Sequence, residues 1–324
     1  MERKKTTVLK ASQVIMLSLL LVGMVDALSF WDIIKNAFSS DDNLITGRAT
    51  SGTTDLSISV SNLAPNVTNV TVVADQSITE SGTSLVSVSF IATDPDGTSN
   101  LNQSSAAVNF TTNSDTTIRF NNSCGNAGTI GSIGLNFTCT VGIQYFDKPG
   151  NWTIRASIRD NSNTVAANET TNFTLLSTLA IIVGPASLTF SAISSGSENV
   201  TALQAIAVNN TGNQNVTSGN VRVQAFDLVG QTDATKIIPA GNFTIDVNSG
   251  AGNPQCGVQT VMVNATTTGI TSSTLPRGNN TLGNNPEHGK EQLFTCLRRA
   301  PLGNDLTSQT YSATGGAAWV VSVV

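Results

Sequence analysis

The sequence predicts an all-β protein, built as two antiparallel β-sandwiches in tandem after an N-terminal signal segment. Three observations predict it. The stretch Gln144–Asn163, QYFDKPGNWTIRASIRDNSN, alternates strictly: Trp152, Ile154, Ala156 and Ile158 fall on one face, and Thr153, Arg155, Ser157 and Arg159 on the other. Such a period of two belongs to a strand with one buried and one wet side, and its apolar face needs a second sheet to cover it. Second, the 324-residue chain is only 11% charged and 5% aromatic. Ser, Thr and Asn dominate its polar positions, yet β-branched apolar residues recur in phase throughout, which disordered polar chains lack. Third, the N-terminus has the build of an export signal.

That segment, residues 1–27, carries Arg3, Lys4, Lys5 and Lys10, then an apolar run from Val14 to Val25, then Val25-Asp26-Ala27. A basic head, a short apolar core and a small residue before the cut describe a secretory signal peptide with cleavage after Ala27. The run is shorter than the roughly 20 residues that span a bilayer. Left uncleaved, it would be a signal anchor with Phe30-Trp31-Asp32-Ile33-Ile34 in the membrane interface. A pilin-type leader cut near Lys10-Ala11 is a third reading. Residues 28–54 read as a short helix, Phe30 to Phe38, followed by the polar tether SSDDNLITGRATSGTT.

Removing residues 1–27 leaves 12 basic against 19 acidic residues, a balance of −7. A Lys/Arg-poor, acidic surface lacks the clustered positive charge that phosphate backbones and anionic lipid require. Nucleic acid is therefore excluded as a partner, and membrane contact is confined to the N-terminal segment if it stays uncleaved.

The first sandwich is placed at residues 55–177. Its strands are marked by Leu56/Ile58/Val60, Val70/Val72, Val86/Val88/Phe90, Ala106/Val108/Phe110, Ile118/Phe120, Leu135/Phe137/Cys139/Val141, Trp152 to Ile158 and Phe173/Leu175. Turn residues separate them, among them Asp94-Pro95-Asp96-Gly97 and Lys148-Pro149-Gly150. Leu176–Pro185, LSTLAIIVGP, is apolar and should pass into the second sandwich, residues 178–324, with little slack. Strands are expected there around Leu188–Ile193, Val200–Val208, Val221–Val229, Phe243–Val247, Val258–Val263, Leu293–Leu297 and Ala317–Val323. The segment Thr266–Gly289, thick with Asn, Gly and Pro, is expected to be a long mobile loop.

Seven or eight short strands in about 120 residues make an immunoglobulin-like sandwich the natural reading of the first half, with Trp152–Ile158 as its penultimate strand. The strings VSVSFIATDPDG and QYFDKPGNWTIRASIRDNSN resemble the PKD-type and related Ig-like repeats of archaeal and bacterial cell-surface proteins. In that family a strand runs into a DPDG-like turn, and an aromatic, Pro-Gly, aromatic-Thr step leads into a later strand. The chain departs from PKD at the Trp-Phe-Gly-Asp signature, where it has Ala106-Ala107-Val108-Asn109-Phe110. The segment Asn210-Thr211-Gly212-Asn213 and the opening ITGRATSGTTDLSISV resemble turns of archaeal surface sandwich modules. The resemblance implies an extracellular, repeat-built protein.

Four cysteines, Cys124, Cys139, Cys256 and Cys296, show no CxxC spacing, which argues against zinc or thioredoxin-like chemistry. An even count in an exported chain suggests disulfides. One pair falls in each sandwich, so Cys124–Cys139 and Cys256–Cys296 are expected. Fifteen Asn-X-Ser/Thr sequons occur, and at Asn109, Asn136, Asn151 and Asn172 the central residue should point inward, turning the asparagine to solvent as a glycosylation candidate. Asp94, Asp96, Asp160, Asn161 and Asn163 lie on two loops that emerge at one pole of such a sandwich and form a candidate calcium set, the one cofactor considered. Plain turn chemistry competes for the same residues. His288 is the only histidine and sits in a loop. No GxSxG, HExxH or P-loop string is present, so no enzymatic activity is expected.

The expected function is that of an exported cell-surface structural or adhesive protein without catalysis, meeting other surface proteins, glycans or copies of itself. The alternatives are a carbohydrate-binding surface module and a pilin-like filament subunit. Trp152 and Trp319 are both phased into strand cores, which disfavours a lectin platform.

Overall fold

The computed structural model describes residues 56–247, 256, 260–283, 288–313 and 317–324. The signal segment, the tether and the expected Phe30–Phe38 helix lie outside the described residues. Among the described residues, no helix is long and apolar enough to cross a membrane. The fold is all-β, with every named strand pair antiparallel.

Eight strands build the first core: β1 (Asn66–Thr68), β2 (Thr83–Thr93), β3 (Leu101–Thr111), β4 (Ile118–Asn121), β5 (Gly125–Ile130), β6 (Gly134–Gln144), β7 (Gly150–Asp160) and β8 (Val165–Leu175). They form two four-stranded sheets in the orders β1-β2-β6-β5 and β4-β3-β7-β8. This is the A-B-E-D and C′-C-F-G order of immunoglobulin-type sandwiches, with β7 as the penultimate strand. Trp152, Ile154, Ala156 and Ile158 are all buried while Asn151, Arg155 and Arg159 are exposed, as alternation requires. Phe90 stacks on Phe137 with ring centroids 5.4 Å apart, and Phe110 meets Phe173 edge-on at 5.1 Å. The Trp152 indole N–H donates to the Lys148 carbonyl at 3.0 Å, so the largest side chain of the core is buried without an orphaned donor. Gly97 and Gly150, at φ 102° and 127°, supply left-handed backbone at the DPDG and Pro-Gly turns.

Two strand expectations fail in this half, and a third strand turns its apolar residues outward. Leu56, Ile58 and Val60 form no strand and are exposed; alternation specifies a face, and it yields a strand only where a neighbouring edge offers hydrogen bonds. Val70 and Val72 likewise lie outside β1, tied to β2 through Thr71, whose N–H donates to the Ser89 carbonyl and whose hydroxyl accepts from the Ser89 N–H. Ile118 and Phe120 do sit on a strand, β4, but point outward at 54% and 61% exposure. Arg119 takes the inward position because it forms a bidentate pair with Asp147, a carboxylate that is 1% exposed. On an edge strand, a buried ion pair has overridden the apolar pattern.

The second core is built from shorter pieces. They are β9 (Ile181–Gly184), β10 (Glu198–Thr201), β11 (Ile206–Asn210), β12 (Val221–Ala225), β13 (Leu228–Gly230), β14 (Ile237–Ile238), β15 (Phe243–Val247), β16 (Thr260–Val261), β17 (Thr266–Gly269), β18 (Lys290–Arg299), β19 (Tyr311–Ser312) and β20 (Val320–Val323). One sheet runs β16-β15-β18-β11-β9 with β10 also on β18; two smaller ones run β17-β12-β20 and β14-β13-β19. The Val200–Val208 stretch is split into β10 and β11, two consecutive partners of β18. Val221–Val229 breaks at Phe226-Asp227, where the Asp227 carboxylate accepts from Ala240 N–H and the Asn264 amide instead of letting the ladder continue. Leu188–Ile193 is not a strand; only Phe190 bridges to Ala202. The expected Thr266–Gly289 loop is largely built in: β17 pairs with β12, and Ile270, Ser273 and Leu275 are fully buried.

Candidate functional site

A densely bonded polar cluster lies where the two cores meet, at the turn Asn210-Thr211-Gly212-Asn213. Asn210, Thr211 and Asn213 are each 0% exposed. Asn213 clasps the connecting segment: its N–H donates to the Thr178 carbonyl, its Oδ1 accepts from Thr178 N–H at 2.7 Å, and its Nδ2 donates to the Leu176 carbonyl at 2.9 Å. Thr211 reaches both ways, donating its N–H to the Ala180 carbonyl while its own carbonyl accepts from Ser81 N–H of the first core. Asn210 satisfies the far side, its Nδ2 donating to the Gln214 carbonyl at 2.7 Å and its Oδ1 accepting from Gly212 N–H. Gly212 has to be glycine, because a Cβ there would come within 2.3 Å of the Thr178 carbonyl oxygen. Buried amides cost free energy unless fully bonded, so this turn holds one geometry.

A second arm comes from the segment after β17. Arg277 Nη1 donates to the Phe146 carbonyl at 2.7 Å and Nη2 to the Asp115 carboxylate. Burial alone would raise the Asp115 carboxyl; the Arg277 hydrogen bond and charge, with Thr116 N–H and the Thr117 hydroxyl, hold it below the usual carboxylate range. The Tyr145 hydroxyl donates to the Gly278 carbonyl at 3.1 Å and accepts from Asn280 N–H at 2.9 Å. Both arms tie the first core to the second, one through a segment expected to be a mobile loop and the other through a turn.

The acidic pole lies at the other end of the first core, and the structure does bring Asp94, Asp96 and Asp160 to it with Asn161 and Asn163. Their oxygens face N–H donors. Asp94 accepts from Asp96 N–H at 2.9 Å and from the Asn100 amide at 3.2 Å. Asp160 accepts from Thr164 N–H and from the Asn62 amide, both at 2.7 Å, and Asp96 accepts from Leu63 N–H at 2.7 Å. Asn161 donates its amide to the Ser99 carbonyl, and Asn163 adopts a left-handed φ of 65°. Burial pushes the Asp160 carboxyl up, but the Asn62 amide and the Thr164 N–H and hydroxyl hold it below the usual range. Among the described residues no group of three or more His, Cys, Asp and Glu side chains could hold a metal ion. This is a turn cluster whose carboxylates accept hydrogen bonds from backbone N–H groups and side-chain amides.

The cysteines pair as Cys124–Cys139 and Cys256–Cys296, with Cα atoms 4.5 Å and 5.4 Å apart. His288 is half-buried, and its Nδ1 is buried without a partner among the described residues. At the four sequons the central residues Phe110, Phe137, Trp152 and Phe173 are buried. Asn151 and Asn172 are exposed, whereas Asn109 and Asn136 are half-buried and the Asn109 Oδ1 is covered. Trp319 is half-buried and packs against the second core, edge-on to Phe243. The sequence matches no protein-family model and no curated protein.

Proposed function

We propose that the chain is an exported structural or adhesive protein of the cell surface, presenting two immunoglobulin-like sandwiches of the PKD-related type as one stiff unit and performing no chemistry of its own. The observation that carries this reading is the Asn210–Asn213 clasp. Its three buried polar residues are spent on holding the connecting segment and the first core in place. A protein that transmits force or spaces a surface needs such a joint; a substrate site would leave polar groups turned toward a ligand. Pairing of all four cysteines supports an oxidising, extracellular destination. The DPDG turn and the Pro-Gly step into β7, both seated at glycines with positive φ, support the PKD-type resemblance.

The test is sedimentation equilibrium of residues 55–324 together with binding to a glycan array. Self-association without glycan retention is the expected result. Saturable glycan binding by a monomer would replace this reading with that of a carbohydrate-binding module.

A further inference from the structure

Two parts of the chain lack a partner. Leu56-Ser57-Ile58-Ser59-Val60 alternates apolar and hydroxyl residues as a half-buried strand does. Yet Leu56, Ile58 and Val60 are 88%, 81% and 78% exposed, and no sheet takes them. The second core has the converse defect. A cavity of ≈ 790 Å³ opens into it, and its floor is aromatic: Phe243 lies 5.7 Å from Phe190 and 5.4 Å, edge-on, from Trp319.

Around the opening, backbone goes unpaired. In the stretch 186–193, Leu188 and Phe190 pack on the core while Ser187, Thr189 and Ser191 are exposed, which is the phase of a strand. Among the described residues, however, its backbone bonds to the protein only at the Phe190–Ala202 bridge, where the Leu203 N–H donates to the Thr189 carbonyl. Residues of β19 and β20 also line the cavity, and each is the last strand of its sheet, with one side free of a ladder. The rim hydroxyls of Ser191, Thr310 and Ser312 have no protein partner among the described residues, and Thr295 Oγ1 is buried and unpaired.

An apolar floor between free strand edges and a hydroxyl rim is the shape left by a missing strand. A strand brings N–H and C=O groups to the edges, apolar side chains to the floor and alternate polar ones to the rim. A sugar or a hydrocarbon would leave the edges without a ladder. Leu56–Val60 has the required order, with three apolar side chains on one face and Ser57 and Ser59 on the other. Its own copy cannot deliver it. Asn62 is pinned at the acidic pole, its amide on Asp160 at 2.7 Å and its Oδ1 accepting from Asn100 at 3.0 Å. Leu56, six residues back, reaches about 20 Å from there at full extension. The eleven residues of β7, which run from the Arg277 joint to that pole, alone span about 33 Å. We propose that Leu56–Val60 of one copy enters the second core of the next as its missing strand. Donor and acceptor lie at opposite ends of the molecule, so the contact is heterologous and strings copies head to tail. It rests on the reading of the chain as a self-associating surface protein and supplies the contact for it.

Sedimentation velocity of the exported, oxidised chain tests this with two variants at exposed positions. Ile58→Glu spoils the donor and Ala192→Trp blocks the acceptor. Both should still melt cooperatively, and each should weaken assembly tenfold or more. Mixed, they should form a one-to-one dimer that grows no further, because each keeps one intact half. Ile118→Glu, an exposed apolar position on the first core, should leave assembly unchanged. A synthetic Thr54–Asn62 peptide should bind the Ile58→Glu protein near one equivalent, with a tryptophan emission change that is lost in Trp319→Phe. Wild-type assembly that survives both variants, or a mixture that stays monomeric, overturns this contact and leaves self-association standing. A wild type that stays monomeric overturns both. Equal binding of a peptide with the same residues in scrambled order would show that strand phase is not read, and would also overturn it. Refusal of the peptide with saturable uptake of palmitate or a sugar would reassign the cavity to a small ligand.

Discussion

Five of the first core's eight strands are eleven residues long, whereas in the second the longest strand has ten and most have two to five. The polar residues follow the same divide. In the first core the fully buried acids, Asp94 and Asp160, sit in turns and at strand ends; in the second, Thr244, Thr295 and Glu291 lie on the central strands themselves. Uninterrupted alternation lets two sheets close over one apolar layer, so polar groups are needed only where strands stop. Where side chains such as Asp227 compete for the ladder, the sheet breaks into pieces. The core must then be completed by buried turns and a longer covalent loop, and in one place it stays open. The two cores are thus stabilised by different means, one by continuous packing and the other by polar clasps.

The sharpest way to break that comparison is to truncate one tryptophan in each core. Trp152 is 0% exposed and packed in a closed layer, so Trp152→Ala should cost about 3–5 kcal/mol. Trp319 is only half-buried and borders a cavity that already exists, so Trp319→Ala should cost less than half as much. Urea unfolding of the two variants decides it, and equal losses would mean that the second core is packed as tightly as the first.

The covalent staples should differ more gently. Cys256–Cys296 closes 40 residues and Cys124–Cys139 closes 15, which the chain-entropy account values at about 4 and about 3 kcal/mol. Serine pairs at each disulfide should therefore separate by about 1 kcal/mol in the same urea series, with the second core losing more. The opposite order would show that its short strands retain their arrangement without the staple.

What was legible in the sequence follows the same divide. Trp152 to Ile158 could be placed on a penultimate strand because four apolar residues in a row held one phase and a Pro-Gly turn set its start. Phe243–Val247 was placed correctly for the same reason. β5 gave no signal because every residue of it is exposed and its apolar residues, Ala127 and Ile130, set up no alternating face. Arg119 broke the pattern of β4 through Asp147, a partner 28 residues away that no local period can reveal. The clasp was half legible: Asn210-Thr211-Gly212-Asn213 stood out as a turn, but its partners Thr178 and Ser81 are brought to it only by tertiary structure. Arg277, inside a segment rich in Asn, Gly and Pro, carried no signal of its role at all.

The smallest expected effect concerns a buried acid on β18. Glu291 is 8% exposed, and one carboxylate oxygen accepts from the Ser273 hydroxyl at 2.6 Å. Burial pushes its carboxyl above the usual range, the Ser273 hydroxyl and the Thr274 N–H pull it partly back, and the charge of Asp246 adds to the rise. Because the folded value lies above the unfolded one, folding takes up a proton. The stabilisation is complete below the unfolded pKa of about 4.3 and is lost as the pH rises through the folded value. Glu291→Gln keeps the shape, can still accept from Ser273 and carries no charge at any pH. Relative to this variant, the wild type should lose stability as the pH climbs from about 4 to about 7, leaving the glutamine protein the more stable at neutrality. Urea midpoints of both proteins across that range measure the difference. A gap that stays flat would mean the carboxylate is hydrated in the folded protein. A gap that runs the other way would mean the hydrogen bonds from Ser273 and Thr274 outweigh burial, and the polar groups on this sheet would then stabilise the core most when charged.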